Sequence, residues 1–460
     1  MSRSGRILAA PRQGSLRAGR VFFAVLLSCG LGTTALADDP TASVSSSTVA
    51  QSGPELELDG LELDGTPSRP EREEPPSENE RKPDLLDNLV ERTSAIIDKT
   101  RLGGYGEHEL HVGGGDIAHF QNHRFVLFVY SQLHERISAA TEIELEFAGS
   151  PLKKGGALEA GEVLLEFAVI DLKLFEWLVF RAGVILVPVS TLNLRHDAPT
   201  WDLTDRPIAY TSVVPSTWFE SGAGVLGKIS SGDHRLTYEL YAINGLDARI
   251  FDGLGYRGAR GSNLEDNNHD KGITGRIAYS PNLGLELGLS GYTGIYDLSG
   301  NRATLGNVDL MLRSGRFELL AEAVLARNDP GFVEGFSTSS ANTRSAIPET
   351  MWGFYVQANV HFTIPPLFEL FPDWLSEAVL TGVLRYEGMD TDTDHFTSAG
   401  DRRRLTLGLN FRPIEPYVLK TNFQLDTNGI SGSRSAPDVF SGAFWMDATF
   451  GFAASVAYLF

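Results

Sequence analysis

Cysteine is nearly missing from this sequence: Cys29 is the single one in 460 residues. With no second thiol, an intramolecular disulfide or a cysteine-built metal cluster is excluded. Long apolar runs are missing too. No stretch of 18 apolar residues occurs, so no segment can cross a bilayer as a helix, although 42% of the residues are apolar. Positive charge is scarce, with 39 Lys and Arg against 59 Asp and Glu and a net charge of −20. Such a chain is a poor partner for nucleic acid or anionic lipid. A G-x-S-x-G stretch is absent, and His111 and His361 fall on the polar faces of their strands. A surface Ser–His pair of the lipase type therefore has no candidate. The chain is expected not to be an enzyme and to need no cofactor.

What is present begins with a leader. Arg3, Arg6, Arg12, Arg17 and Arg20 precede the apolar run Val21 to Leu27, and Ala35-Leu36-Ala37 offers a small-residue cleavage site. Residues 1–37 are therefore expected to be a secretory signal peptide. The alternative is lipidation at Cys29, after Leu26-Leu27-Ser28. Cleavage after Ala37 removes five arginines and no acid, taking the net charge from −20 to −25. Residues 38–83 are rich in Ser, Pro and Glu and contain the duplication Glu55-Leu56-Glu57-Leu58-Asp59-Gly60 and Leu61-Glu62-Leu63-Asp64-Gly65. They read as an acidic disordered periplasmic linker, either a tether or a solvated spacer. Residues 84–101 carry a helical stripe of Leu85, Leu86, Leu89, Val90, Ile96 and Ile97, a short amphipathic helix behind Asp84 as N-cap.

From residue 102 to 460 the period becomes two. Trp352, Phe354, Val356, Ala358, Val360 and Phe362 alternate with Gly353, Tyr355, Gln357, Asn359 and His361. Leu405, Leu407, Leu409 and Phe411 alternate with Arg404, Thr406, Gly408, Asn410 and Arg412. Each such segment has one greasy and one wet face over about ten residues, enough for a tilted strand to cross a bilayer. Sixteen segments of this kind can be placed, with turns at His134-Glu135-Arg136, Ser230 to Asp233, Pro281-Asn282 and Ser314-Gly315. Pro365, Pro366 and Trp374 mark a small helix within the connection 363–376. Lipid leaves no backbone group unpaired, so a sheet of this kind must close. The expected fold is all-β: a transmembrane antiparallel barrel of about 16 strands. Its last strand, Phe450 to Phe460, pairs with the first near Leu102 to Val112.

The connection 188–217 is the longest without strand pattern. The strands before it, Val163 to Leu172 and Leu178 to Val187, are mostly apolar on both faces. An apolar inner wall needs a cover, so this loop, the third on the exterior side, is expected to fold inward and narrow a pore. Glu142, Glu144 and Glu146 alternate with Ile143, Leu145 and Phe147 and point inward together. Glu107, Glu109, Glu162, Glu166, Glu318 and Glu322 join them, opposed by Arg181, Arg276, Arg385, Arg404, Arg412 and Lys420. The loop adds Arg195, His196 and Arg206 against Asp197, Asp202 and Asp205. These charges either set up a transverse field or pair with each other to keep a lumen wet. Asp390, Asp392 and Asp394, and Asp266, Asn268 and Asp270, have alternate-residue spacing but lack the glycine and bidentate Glu of a calcium loop. No metal is assigned to either.

The strand Arg181-Ala182-Gly183-Val184-Ile185-Leu186-Val187-Pro188 resembles the Arg-x-Gly-x-x-x-x-Pro strand of the phosphate-selective porin O/P family of Gram-negative outer membranes. Asp205-Arg206-Pro207, Phe219 to Gly227, Tyr238 to Gly245 and Arg385-Tyr386-Glu387 extend the likeness across roughly 102–460. The resemblance implies a trimeric, sixteen-stranded outer-membrane channel for passive transport of small hydrophilic solutes or ions. Arg181, Arg195, Asp202, Asp205, Arg206, Glu142, Glu144, Glu146, Arg385 and Arg404 would then line the pore or its constriction. Where phosphate selectors carry a lysine before the proline, this chain has Ile185 and Leu186. Anion or phosphate selectivity therefore stands as an alternative, as does an outer-membrane anchor or receptor using the acidic tail.

Overall fold

The computed structural model describes residues 99–113, 116–147, 151–154, 157–247, 255–260, 270–330, 347–371, 375–393, 400–428 and 448–460. The expected signal peptide, the acidic linker, nearly all of the 84–101 helix, and Asp266, Asn268 and Asp394 lie outside these residues. β1 begins at Thr100, so the last two residues of the expected helix are strand.

Sixteen antiparallel strands close into a barrel. In chain order they are β1 (Thr100–Gly113), β2 (Asp116–His134), β3 (Ile137–Glu146), β6 (Val163–Phe175), β7 (Leu178–Leu186), β8 (Phe219–Ser231), β9 (His234–Ile243), β10 (Gly272–Asn282), β11 (Leu285–Ile295), β12 (Arg302–Ser314), β13 (Phe317–Asn328), β14 (Thr350–Thr363), β15 (Val379–Asp390), β16 (Asp401–Arg412), β17 (Tyr417–Asn428) and β18 (Ala448–Leu459). A hairpin of β4 (Pro151–Lys154) and β5 (Ala157–Ala160) stands apart in the connection after β3. Four-residue strands are too short for the alternation to announce, and the sequence gives no sign of this one. Among the described residues no helix is long and apolar enough to cross a membrane.

Closure is made where the sequence places it. Tyr105 pairs with Leu459, Glu107 with Ala457 and Val112 with Phe452. Gly104 and Phe460 exchange backbone hydrogen bonds of 3.1 and 3.0 Å. The expected turn at Pro281-Asn282 falls two residues later, because β10 runs through Asn282 and the Asn282 side chain accepts the Gly284 N–H at 2.9 Å. The helix between β14 and β15 is α2 (Pro365–Leu370), numbered after α1 (Thr191–Leu194) in the 187–218 segment.

Burial runs opposite to that of a water-soluble sheet. On β16 and β17, Thr406, Asn410, Lys420 and Asn422 are buried while Leu407, Leu409, Leu419 and Phe423 are exposed, Phe423 by 63%. The same inversion holds on β13 to β15, where Glu318, Glu322, Gln357, Asn359, Arg385 and Glu387 are buried and Leu325, Val356 and Leu384 are exposed. Near the short-turn end the exposed apolar surface carries aromatic rings, among them Tyr130, Phe175, Trp177, Tyr279, Phe317, Tyr417 and Phe460.

Candidate functional site

The connection from β7 to β8 is held at its neck by one side chain. Asn193, in α1, donates to the carbonyls of Val187 (2.8 Å) and Trp218 (2.9 Å) and accepts the Trp218 N–H at 2.8 Å. Ser190 caps α1 by accepting the Leu192 N–H at 3.0 Å. The apolar side of the segment, Val189, Ile208, Ala209, Tyr210, Val213, Val214 and Trp218, forms one buried cluster with Val169, Ile185, Tyr241, Ile243, Leu305 and Tyr355 of the wall. Val169 of β6 and Ile185 of β7 are members of this cluster.

The polar side of the segment bonds to strands around the ring. Glu322 of β13 accepts from Ser190 Oγ at 2.6 Å, from the Leu192 N–H at 3.2 Å and from Tyr355 at 3.0 Å. Tyr210 donates to Asn307 of β12 at 2.8 Å, and the Ile208 N–H to Glu387 of β15 at 2.5 Å. Asn359 of β14 donates to Asp202 at 2.7 Å, and Arg412 of β16 to the Pro199 carbonyl at 2.7 Å. Lys420 of β17 donates to the Ala198 carbonyl at 2.7 Å, and Thr204 Oγ1 lies 3.1 Å from Ser455 Oγ of β18. Burial pushes the Asp202 carboxyl up, with Arg412 pulling the other way.

A cavity of about 280 Å³ is lined mainly by charged side chains. Glu107, Glu109, Glu144, Glu146, Glu162 and Glu166 come from β1, β3 and β6, which form one arc with β2, and from the residues just before β6. Arg402 and Arg404 come from β16, Arg206 from the 187–218 segment, and Arg257 and Arg260 from the β9–β10 connection. The separation is incomplete, since Arg124 stands among the acids and Asp205 among the arginines. Arg257 donates to the Ser216 carbonyl at 2.9 Å, Arg260 donates to the Thr217 carbonyl, and Arg206 donates to Ser216 Oγ at 2.9 Å while lying 5.1 Å above the Trp201 ring. Burial, then the nearby Arg124 cation, lowers Arg206 to about 10, which leaves it charged at neutral pH. Burial also disfavours charge on His196, but Glu142 and Glu166 outweigh it and raise the imidazole to about 10.

Five of the ten candidate residues line this cavity: Glu144, Glu146, Asp205, Arg206 and Arg404. The other five do not. Arg181 is held by Asp171 through two bonds of 2.7 and 2.8 Å, and Arg195 reaches toward Glu286 at 3.7 Å. Asp202 faces Asn359 and Asn410, Glu142 faces His196, and Arg385 bonds Glu387 and the Asp205 carbonyl. Arg404 itself is neutralised by Asp426 at 2.8 and 3.0 Å. Asp390 accepts the Asp392 N–H at 3.0 Å, a local turn within the acidic spacing.

Sequence reasoning passed over His123, Arg124, Arg257, Arg260 and Arg402. A β-bulge explains the first two: Glu107 pairs with Arg124 and His108 with Asn122, so His123 is left between two pairs. Strict alternation would place His123 and Arg124 on opposite faces, whereas the bulge lets both line the cavity. Arg257 and Arg260 lie in a connection without period, where only their proximity to each other gave a hint.

No family model matches the chain. An uncharacterized protein of Aquifex aeolicus (strain VF5) is 27% identical over 350 residues, covering 70% of this chain and 74% of that protein. Among solved structures, the outer membrane channel DcaP of Acinetobacter baumannii is similar at 13% identity and a TM-score of 0.48, over 78% of this chain and 97% of that one. The anion-selective porin from Comamonas acidovorans is similar at 11% identity and a TM-score of 0.48, over 78% and 99%. OmpT, an outer membrane protein of Vibrio cholerae in a trimer form, is similar at 11% identity and a TM-score of 0.47, over 78% and 99%.

Proposed function

We propose that the chain forms an outer-membrane channel for passive diffusion of small hydrophilic solutes or ions, narrowed by the 187–218 segment. The observation that carries this reading is the inverted burial: the wet face of the closed barrel is covered and the greasy face is not. In water that arrangement exposes a continuous apolar belt; in lipid it is the stable one. The aromatic rings near the short-turn end support it, since such rings collect at membrane interfaces. The bonds of the 187–218 segment to β12 through β18 support a position inside the ring, because a segment outside could not reach strands so far apart. Conductance of purified protein in a planar bilayer is the test. Stepwise currents are expected, and their absence with a folded barrel would remove the reading.

Selectivity for anions such as phosphate is a second reading. Arg206, Arg257, Arg260, Arg402 and Arg404 gather at one cavity, and among the described residues Arg257 and Arg260 donate to backbone carbonyls alone. The acids of β1, β3 and β6 oppose it, so the reversal potential in a salt gradient decides. Trimeric assembly belongs to the same proposal and is read by cross-linking in detergent.

A further inference from the structure

We propose that Glu142, Glu166 and His196 bind one divalent transition-metal cation, which fastens the 187–218 segment to β3 and β6. The site is built by a second bulge. Glu142 pairs with Phe167 and Ile143 with Leu165, so Glu166 is the extra residue of β6 and its side chain is turned beside Glu142. His196 enters from the segment and is oriented from behind. Its Nδ1 lies 3.0 Å from the Asn193 carbonyl, which can only accept, so Nδ1 holds the hydrogen and Nε2 faces the carboxylates. A backbone carbonyl behind the ring is a common outer partner of metal-bound histidines.

Nε2 lies 3.1 Å from Glu166 Oε2 and 3.7 Å from Glu142 Oε1, with all three groups buried. A bare lone pair there would repel both carboxylates, so a positive centre belongs between them. One proton cannot serve both. On Nε2 it bonds to Glu166 and leaves Glu142 beyond hydrogen-bond range. Glu142 is 1% exposed, and its Oε1 has no hydrogen-bond partner. The second oxygen of Glu166 is also buried without one. Arg124 is engaged with Glu107 at 3.3 Å and Glu144 at 3.5 Å. A cation roughly 2.0–2.2 Å from each donor spaces its ligands about 3.0–3.6 Å apart, close to the two measured separations. One imidazole and two carboxylates suit Zn²⁺ or Mn²⁺, and the entering cation would displace the Nε2 proton to solvent.

The neighbouring group of Glu107, Glu109 and His123 supplies the contrast. Glu109 Oε1 pairs with His123 Nδ1 at 2.6 Å, while Oε2 accepts from Gln121 at 2.8 Å and pairs with His111 at 2.8 Å. Arg124 closes the network on His123 Nε2 at 3.0 Å. No buried side-chain atom of Glu107, Glu109 or His123 is without a hydrogen-bond partner, so no cation is called for.

The test is calorimetric titration of the untagged, chelator-treated full chain, folded in detergent, with ZnCl₂ and separately with MnCl₂ near neutral pH. One saturable site per chain is expected for at least one of the two. Glu142→Gln and His196→Gln should each weaken it more than about 100-fold, past the loss typical of an outer-shell partner, while His123→Gln leaves it unchanged. Absence of saturable uptake by the folded wild type overturns the proposal. So does binding that survives both ligand changes, or binding that is lost with His123→Gln. Should His196→Gln fail to fold, the isosteric Glu142→Gln decides. The measurement reads binding alone and stands apart from whether the barrel conducts.

Discussion

Asn193 contributes more than its small side chain indicates, because it satisfies three backbone groups where the long connection leaves and rejoins the wall. Asn193→Ala leaves buried amide groups without partners, at about 1–3 kcal/mol for each one that finds no replacement. The expected outcome is a lower unfolding temperature together with a noisier open-channel current. A current as quiet as the wild type's would mean the neck is held by other contacts. The cavity charges make a second prediction at this scale. Glu144→Gln with Glu146→Gln removes negative charge from the lining and leaves its arginines in place. A unit charge acting over 4 Å in water is worth about 1 kcal/mol, roughly fivefold in a local ion ratio. The reversal potential in a salt gradient should therefore move toward anions. An unmoved potential would place the selective point elsewhere.

At the scale of elements, the segment and the wall are fitted to each other through two glycines. A Cβ on Gly353 of β14 would run into the Ala209 side chain, and one on Gly408 of β16 into Leu203. Valine suits a strand, so Gly353→Val and Gly408→Val should keep the barrel but crowd the segment by about 1–3 kcal/mol. Faster cleavage within 187–218 by limited proteolysis is expected, with the barrel still resistant to heat in gels. Unchanged cleavage would mean the segment does not rest on these strands. The sixteen strands were legible because lipid and lumen impose opposite chemistries on alternate residues over ten or more positions. The bulges at His123 and Glu166 were not legible, since an extra residue in one strand shows only against its partner's register. Glu142 lies 3.7 Å from His196, a neighbour that no strand period shows. Contacts such as Lys420 to Ala198 join residues 222 apart and leave no trace in any local pattern.

At the scale of the whole molecule, one substitution separates lipid from water as the barrel's solvent. Leu407 is 56% exposed at the middle of β16, with Leu384 and Phe423 beside it in register on β15 and β17. An exposed Leu→Arg change on a water-soluble sheet lies within about ±0.5 kcal/mol and often helps solubility. At the midplane of a bilayer the same change costs about 2–4 kcal/mol, because the guanidinium loses its water and has no partner in hydrocarbon. Leu407→Arg should therefore lower the stability of barrels refolded into lipid vesicles by that amount in a urea titration. A control charge on the covered face, Thr406→Lys, meets a different environment and tests packing instead. The depth of the site sharpens the reading further. The cost should fall toward about 0–1 kcal/mol for an arginine near either end of the strand, a gradient that water cannot produce. A flat, near-zero profile along β16 would make the exposed apolar belt a protein–protein surface and take the membrane reading with it.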